Sequence, residues 1–275
     1  MEQKKLIFLD IDGTLTPAGS NVPPESALEV IRTARARGHK VFLCTGRNPA
    51  MAAPVLAYGF DGAVSLAGGY IVCGDTVIYD CPMTNEQRDT ALRLLHQEGV
   101  FCTLESRDAT YGDESLGDFL SSASGSNSEI ERWRKALAQD LGILPMSQYD
   151  GRPAYKVVFM CQREEQLAPA KAALEQDFLF CAQTVAAHEC LNGELIGRAF
   201  DKGRGVLRVC EHLGFDVADT IGFGDSMNDL EMIETVGLSV CMANGSDALK
   251  ARSDLVCPSV EDDGLAAAFR QLGLA

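Results

Sequence analysis

The chain is short of positive charge. Its 24 lysines and arginines face 39 aspartates and glutamates, a net of −15. Gripping a nucleic-acid backbone takes the opposite balance, so sequence-independent nucleic-acid binding is argued against, and anionic membranes are disfavoured for the same reason. Long apolar runs are missing too. No stretch approaches the ~20 residues that cross a bilayer, and the N-terminus lacks the apolar segment and small-residue cleavage site of a secretory signal. A cytoplasmic protein without membrane contact is expected. The ten cysteines are scattered, mostly within apolar runs, with no Cys-x-x-Cys pair, and read as buried thiols rather than a disulfide framework. Histidine is scarce: His39, His96, His188 and His212 have no metal-ligand spacing, which argues against a zinc site.

Nucleotide fingerprints are also incomplete. Gly68-Gly69 lacks the further glycine of a dinucleotide loop, and Lys202-Gly203-Arg204 is not the Gly-Lys-Ser/Thr of a phosphate loop. An EF-hand is disfavoured because its twelfth loop position holds Asn21 instead of a glutamate.

What is present is an ordinary globular composition, 46% apolar and 23% charged, over 275 residues, enough for one large domain or two. The chain is organised around Leu6-Ile7-Phe8-Leu9-Asp10-Ile11-Asp12-Gly13-Thr14-Leu15. Four consecutive apolar residues predict a strand buried on both faces of a parallel sheet, with Asp10 at its carboxyl end, where ligands of open α/β sheets bind. Asp10 and Asp12, two apart, project to one face of an extended chain and need compensation if buried. A hard divalent cation would supply it, with Gly13 turning the backbone and Thr14 offering a hydroxyl. An Asx-type turn with solvated carboxylates is the alternative.

Further on, Glu25 to Arg37 carries Leu28, Ile31 and Ala34 at helical spacing and ends at Gly38. Val41 to Cys44 predicts a second strand delivering Thr45-Gly46-Arg47, either a turn or a hydroxyl-and-amide anchor for a phosphate oxygen. Gly62 to Val72 and Val77 to Tyr79 read as a third strand passing into a hairpin. From about Cys81 the composition changes. Helices over Thr84 to Gln97, Glu129 to Leu141 (with the only tryptophan, Trp133) and Glu164 to Gln176 alternate with strands over Val100 to Glu105, Tyr155 to Cys161, Phe178 to Ala186 and His188 to Leu191. An α+β insert over 82–191, its sheet covered on one face, is expected, with 1–81 and 192–275 forming the first domain. No internal repeat is visible. After the insert, Asp201 opens a helix to about Leu213, on which a lone lysine, Lys202, would usually be solvated. Thr220 to Phe223 is a strand ending in Gly224-Asp225-Ser226-Met227-Asn228-Asp229, a carboxylate cluster that also suits a capped helix start. Leu238 to Met242 and Leu255 to Cys257 complete the strands.

Taken together, the strand ends carry Asp10, Asp12, Thr45, Asp225, Asn228 and Asp229, with Lys202 nearby. That set suits phosphoryl transfer through an aspartyl-phosphate. Here the sequence resembles the haloacid dehalogenase superfamily of phosphohydrolases, and within it the Cof-type sugar-phosphatase-like group. The motifs that carry the resemblance are Asp10-Ile11-Asp12-Gly13-Thr14-Leu15, Thr45-Gly46-Arg47, Lys202-Gly203 and Gly224-Asp225-Ser226-Met227-Asn228-Asp229, in that order over nearly the whole chain, followed by Asn244-Gly245 and Glu261-Asp262-Asp263-Gly264.

The resemblance implies a Rossmann-like parallel-sheet core with a large inserted α+β cap. It implies that Asp10 is the nucleophile and Asp12 the general acid/base, and that Mg2+ is held by Asp10, the backbone carbonyl of Asp12, and Asp225, with Asp229 supporting. Thr45, Gly46, Lys202 and Asn228 would hold the phosphate. A Mg2+-dependent phosphatase of a small phosphorylated metabolite is the function implied; a phosphosugar mutase and a non-enzymatic regulatory module are the alternatives on the same fold. Two turns depart from the group's pattern: Ala67-Gly68-Gly69 stands where Asn-Gly-Ala is common, and Ala199-Phe200-Asp201 where a Gly-Val-Ser-like turn is common.

Overall fold

The computed structural model describes residues 3–114, 143–185 and 190–275. The chain separates into two compact units, one of residues 1–47, 51–80 and 201–275, the other of 48–50 and 81–200. The first unit begins with β1 (Leu6–Leu9), whose four residues are fully buried. Ile7 and Leu9 enter one hydrophobic cluster, Leu6 and Phe8 another on the opposite face, which is why the sequence here runs apolar without alternation. The helix Glu25–Ala36 follows, burying Ala27, Leu28, Val30, Ile31 and Ala34. It leads to β2 (Lys40–Cys44), the helix Pro49–Leu56, β3 (Gly62–Ser65), β4 (Tyr70–Cys73) and β5 (Thr76–Asp80). The third strand passes into a hairpin as the sequence reads: a single helical turn, Leu66–Gly68, follows β3, and β4 returns antiparallel.

The second unit contains the helix Asn85–Gln97, β6 (Phe101–Ser106), β7 (Thr110–Gly112), β8 (Ile143–Pro145), β9 (Ala154–Cys161), the helix Ala168–Leu174, β10 (Phe178–Val185) and β11 (Cys190–Gly197). Thr84 and Gln87 close a reciprocal capping box at the first helix. The strands form one sheet in the order β10-β11-β9-β6-β7-β8, antiparallel except for β7 with β8. Ala91, Leu95, Ala170 and Leu174 of the two helices pack with Leu104, Val157 and Phe159 of this sheet. The expected helix over 129–141, with Trp133, and the start of the strand expected from His188 lie outside the described residues. One boundary differs from the expectation: Asn192-Gly193, read as the return to the first domain, is interior to β11, paired with Gln183 and Ala182. The sheet continues to Gly197, and the first unit resumes at Asp201.

From there the helix Lys202–Leu213 leads to β12 (Thr220–Gly224), β13 (Leu238–Met242) and β14 (Leu255–Cys257), and the helix Gly264–Gln271 closes the chain. The first unit's sheet has the order β14-β13-β12-β1-β2-β3-β4-β5, parallel from β14 to β3. The fold is thus α/β, a Rossmann-like parallel-sheet core carrying an α+β insert. β1 is central, flanked by β2 and β12, so the carboxyl ends of these three strands open at one edge of the sheet. Among the described residues no helix is long and apolar enough to cross a membrane. Cys44, Cys102, Cys161, Cys210, Cys241 and Cys257 are buried, whereas Cys181 is exposed.

Candidate active site

Asp10 follows β1 directly and its N–H donates to Phe223 O of β12 at 3.0 Å, which continues the ladder one residue past the strand. Its carboxylate is buried and meets Asp225 and Asp229, the three offering oxygens within 4.8 Å of one another. Lys202, the first residue of its helix, is buried against them rather than solvated. Its Nζ donates to Asp10 Oδ1 at 2.7 Å and to Asp229 Oδ1 at 2.5 Å. Asp201, the N-cap, fixes the start of that helix by accepting from Arg204 N at 2.7 Å.

The backbone is shaped to admit this crowding. Asp229 Oδ2 accepts from the N–H groups of Asp225 and Ser226 at 3.0 and 3.1 Å, locking the turn after β12. Gly13 stands at φ +85°, and a Cβ there would lie 2.4 Å from Asp225 Oδ2, so only glycine lets the two loops meet. Asn244 ties a third loop to them. Its Nδ2 donates to Gly13 O at 2.8 Å, and its Oδ1 accepts from Val260 N at 3.0 Å.

Three buried carboxylates against one ammonium leave an excess of negative charge in a desolvated place. Burial, and then the neighbouring Asp229 charge, raise the Asp10 pKa from 3.8 to about 7. Burial, followed by Asp10 and Asp229, raises that of Asp225 to about 9. Burial alone would lower Lys202, but Asp10 and Asp229 outweigh it and hold the ammonium well above its ordinary pKa. Thr14 Oγ1, also buried, has no hydrogen-bond partner. An all-oxygen donor set short of positive charge fits a hard divalent cation, which Asp10, Asp225 and Asp229 could hold.

The remaining residues of interest sit around this cluster rather than in it. The Asp12 side chain joins Arg47 instead of the three acids, at 2.7 Å. Thr45, at the end of β2, is buried and its Oγ1 accepts from Arg47 N at 3.1 Å, while Gly46 between them is half-buried. Asn228 is exposed, its Oδ1 accepting from Ser226 Oγ at 2.7 Å. Sequence reasoning placed Arg47 and Asn244 in motifs but gave neither a role. A lone arginine after a Thr-Gly turn gives no sign of its partner. In the second unit His96, Cys102 and Asp113 also cluster, but Asp113 Oδ2 is taken up by Cys102 N at 2.7 Å and His96 Nε2 at 3.0 Å, which braces helix to strand.

Comparison with known proteins matches this chain over residues 7–269 to the family described as haloacid dehalogenase-like hydrolase. The Bacillus subtilis protein YkrA is 34% identical over 277 residues, covering 98% of both chains. The 5-amino-6-(5-phospho-D-ribitylamino)uracil phosphatase YwtE of the same organism is 28% identical over 284 residues, again covering 98% of each. A crystal structure from Geobacillus kaustophilus HTA426 superposes with a TM-score of 0.81 at 25% identity, covering 99% of this chain and 100% of that one. With strand order, acidic strand ends and family match in agreement, the chain belongs to the haloacid dehalogenase-like hydrolases.

Proposed function

We propose that this hydrolase is a Mg2+-dependent phosphatase of a small phosphorylated metabolite, working through an aspartyl-phosphate on Asp10. The observation that carries the reading is the buried group of Asp10, Asp225, Asp229 and Lys202 at the end of the central strand. The relative YwtE, named for a phosphorylated ribityl substrate, supports the substrate class. The unit inserted between Asp80 and Asp201 is assigned as the cap that selects the leaving group.

In this reading an Asp10 oxygen attacks the phosphorus of a monoester and the P–O bond to the leaving group breaks. Asp12 gives its proton to the departing oxygen. Asp12 then takes a proton from the water that attacks the acyl phosphate, which frees inorganic phosphate and restores Asp10. Lys202, Thr45, Gly46 and Asn228 hold the phosphoryl oxygens, Lys202 as a fixed charge and Gly46 through its backbone. Asp10, Asp225 and the Asp12 carbonyl, with support from Asp229, would hold Mg2+, which would supply the charge that lets a phosphate dianion approach the acids. A panel of phosphate monoesters with Mg2+ tests the function: released phosphate is expected, and accumulation of an isomer without phosphate would mean a mutase.

Two metal predictions follow from the donor set. Phosphate release is expected to stop in EDTA and return with Mg2+, while Ca2+ inhibits, because Ca2+ accepts more oxygens and can engage both of Asp10's, blocking attack. Full turnover in EDTA would refute the requirement.

The raised acids also set a pH dependence. Asp10 and Asp225 keep protons up to about pH 7 and about pH 9, whereas the unfolded chain loses them near 3.8. The native state then binds more protons than the unfolded one, so metal-free stability falls as pH rises from about 4 through 9. Melting temperatures in EDTA across that range are expected to decline, with Mg2+ offsetting the decline most at the alkaline end. Asp225→Asn should flatten the slope. A flat wild-type profile would contradict the shifts.

A further inference from the structure

Arg47 is buried, and its guanidinium donates to the loop after β1 and to one carbonyl of the helix Pro49–Leu56. Nε donates to Asp12 Oδ2 at 2.8 Å, and Nη2 to Asp12 Oδ1 at 2.7 Å and Ser20 O at 3.1 Å. Nη1 donates to Asn21 Oδ1 at 2.6 Å and Met51 O at 3.4 Å. The planar fork thus takes both oxygens of Asp12, a bidentate match that a lysine cannot make. Gly19 N adds a third donor to Asp12 Oδ1 at 3.0 Å, so the segment after β1 is folded back around this one carboxylate.

The backbone behind Arg47 is braced at a cost. Leu66 N donates to Arg47 O at 2.9 Å and Ala67 N to Thr45 O at 3.0 Å. To do so Leu66 and Ala67 adopt φ of +53° and +55°, two successive non-glycine residues in the left-handed region. Such a residue is strained and persists only where the surroundings over-determine it. Gly68 continues the turn at φ +101°, where a Cβ would lie 2.3 Å from Asp201 O, so the same turn also abuts the residue before Lys202. Strain is being spent to fix the end of β2, and the side chain that reaches from there to Asp12 is Arg47.

We propose that Arg47 is a positioning residue that acts through Asp12: its fork fixes the orientation of the Asp12 carboxylate for proton exchange with leaving group and water. The inference rests on the phosphatase reading above. It assigns Arg47 no contact with substrate. Loss of the fork lets Asp12 turn, and a misplacement of a reacting group by about 1 Å can cost ~10²-fold.

The test is a double-mutant cycle of Arg47→Ala and Asp12→Asn on steady-state phosphate release with Mg2+, alongside melting temperatures. Arg47→Ala is expected to lower kcat ~10²-fold with KM nearly unchanged, and added guanidinium to restore part of the loss. Asp12→Asn should fall by ~10²- to 10⁴-fold. The double variant should be no slower than Asp12→Asn alone, because residues that act as one unit are not additive. If Arg47→Ala fails to fold, Arg47→Lys, which keeps charge without the fork, enters the cycle. Multiplicative losses, or wild-type kcat in the arginine variant, would overturn the role of Arg47. Turnover that survives Asp12→Asn would instead overturn the assignment of Asp12, and with it the reading on which this inference rests.

Discussion

Asp10→Asn is expected to show no measurable phosphate release while remaining folded. An amide is not a nucleophile toward phosphorus and cannot form the acyl phosphate, so the loss should reach ~10⁴-fold or more. Folding should be spared for a local reason. Asn keeps an oxygen at the position that accepts from Lys202 Nζ at 2.7 Å, and it removes one of three carboxylates from a buried cluster that has a single ammonium. Metal-free stability should therefore hold or rise, the reverse of what replacing a buried hydrogen-bonded group usually does. Calorimetry should still detect substrate binding, and mass spectrometry after acid quench should find no phosphate on the chain. Retained turnover would remove Asp10 from the chemistry.

How much of this was legible in the sequence varies with the range of the interaction. β1 was legible because a strand buried on both faces must be apolar throughout, and Leu6, Ile7, Phe8 and Leu9 are. The acids at strand ends were legible because they interrupt such runs. Burial of Lys202 was not, since its partners Asp10 and Asp229 stand 192 and 27 residues away along the chain. By local pattern alone it was a solvated lysine, and only the motif order pointed inward. The helix Pro49–Leu56 escaped because Pro54 lies within it, a residue that normally argues against helix. Asn192-Gly193 misled in the opposite sense. It carries a turn signal, yet it lies in β11, where a Cβ at Gly193 would come within 2.4 Å of Cys181 O on the neighbouring strand. There glycine marks close approach of backbones, and the expected return to the first unit was placed too early.

Burial of Lys202 also changes what its removal should do. A lysine at the surface could be lost at the expense of catalysis alone, but this one is 1% exposed and bridges two carboxylates. Lys202→Met preserves length and apolar stem while leaving Asp10, Asp225 and Asp229 without a counter-charge. Breaking a buried pair in this way typically costs ~3–5 kcal/mol, because the penalty is the uncompensated charge that stays behind. The size should depend on pH with a definite sign. At pH 5 Asp10 and Asp225, already raised to about 7 and about 9, carry protons, so these two acids add no unpaired charge. At pH 8 Asp10 is ionised in the wild type and leans on the ammonium, so the loss of stability should be larger there. Mg2+ should recover part of it by replacing the missing positive charge. Turnover should not recover, since a fixed donor toward the phosphoryl oxygens is gone, and losses of this kind run to ~10²-fold or more. Denaturant unfolding at the two pH values, with and without Mg2+, together with kcat at saturating substrate, separates the effects. A variant equally destabilised at both pH values, or one that turns over normally with Mg2+, would mean that Lys202 fills space at this site and does not serve as its charge.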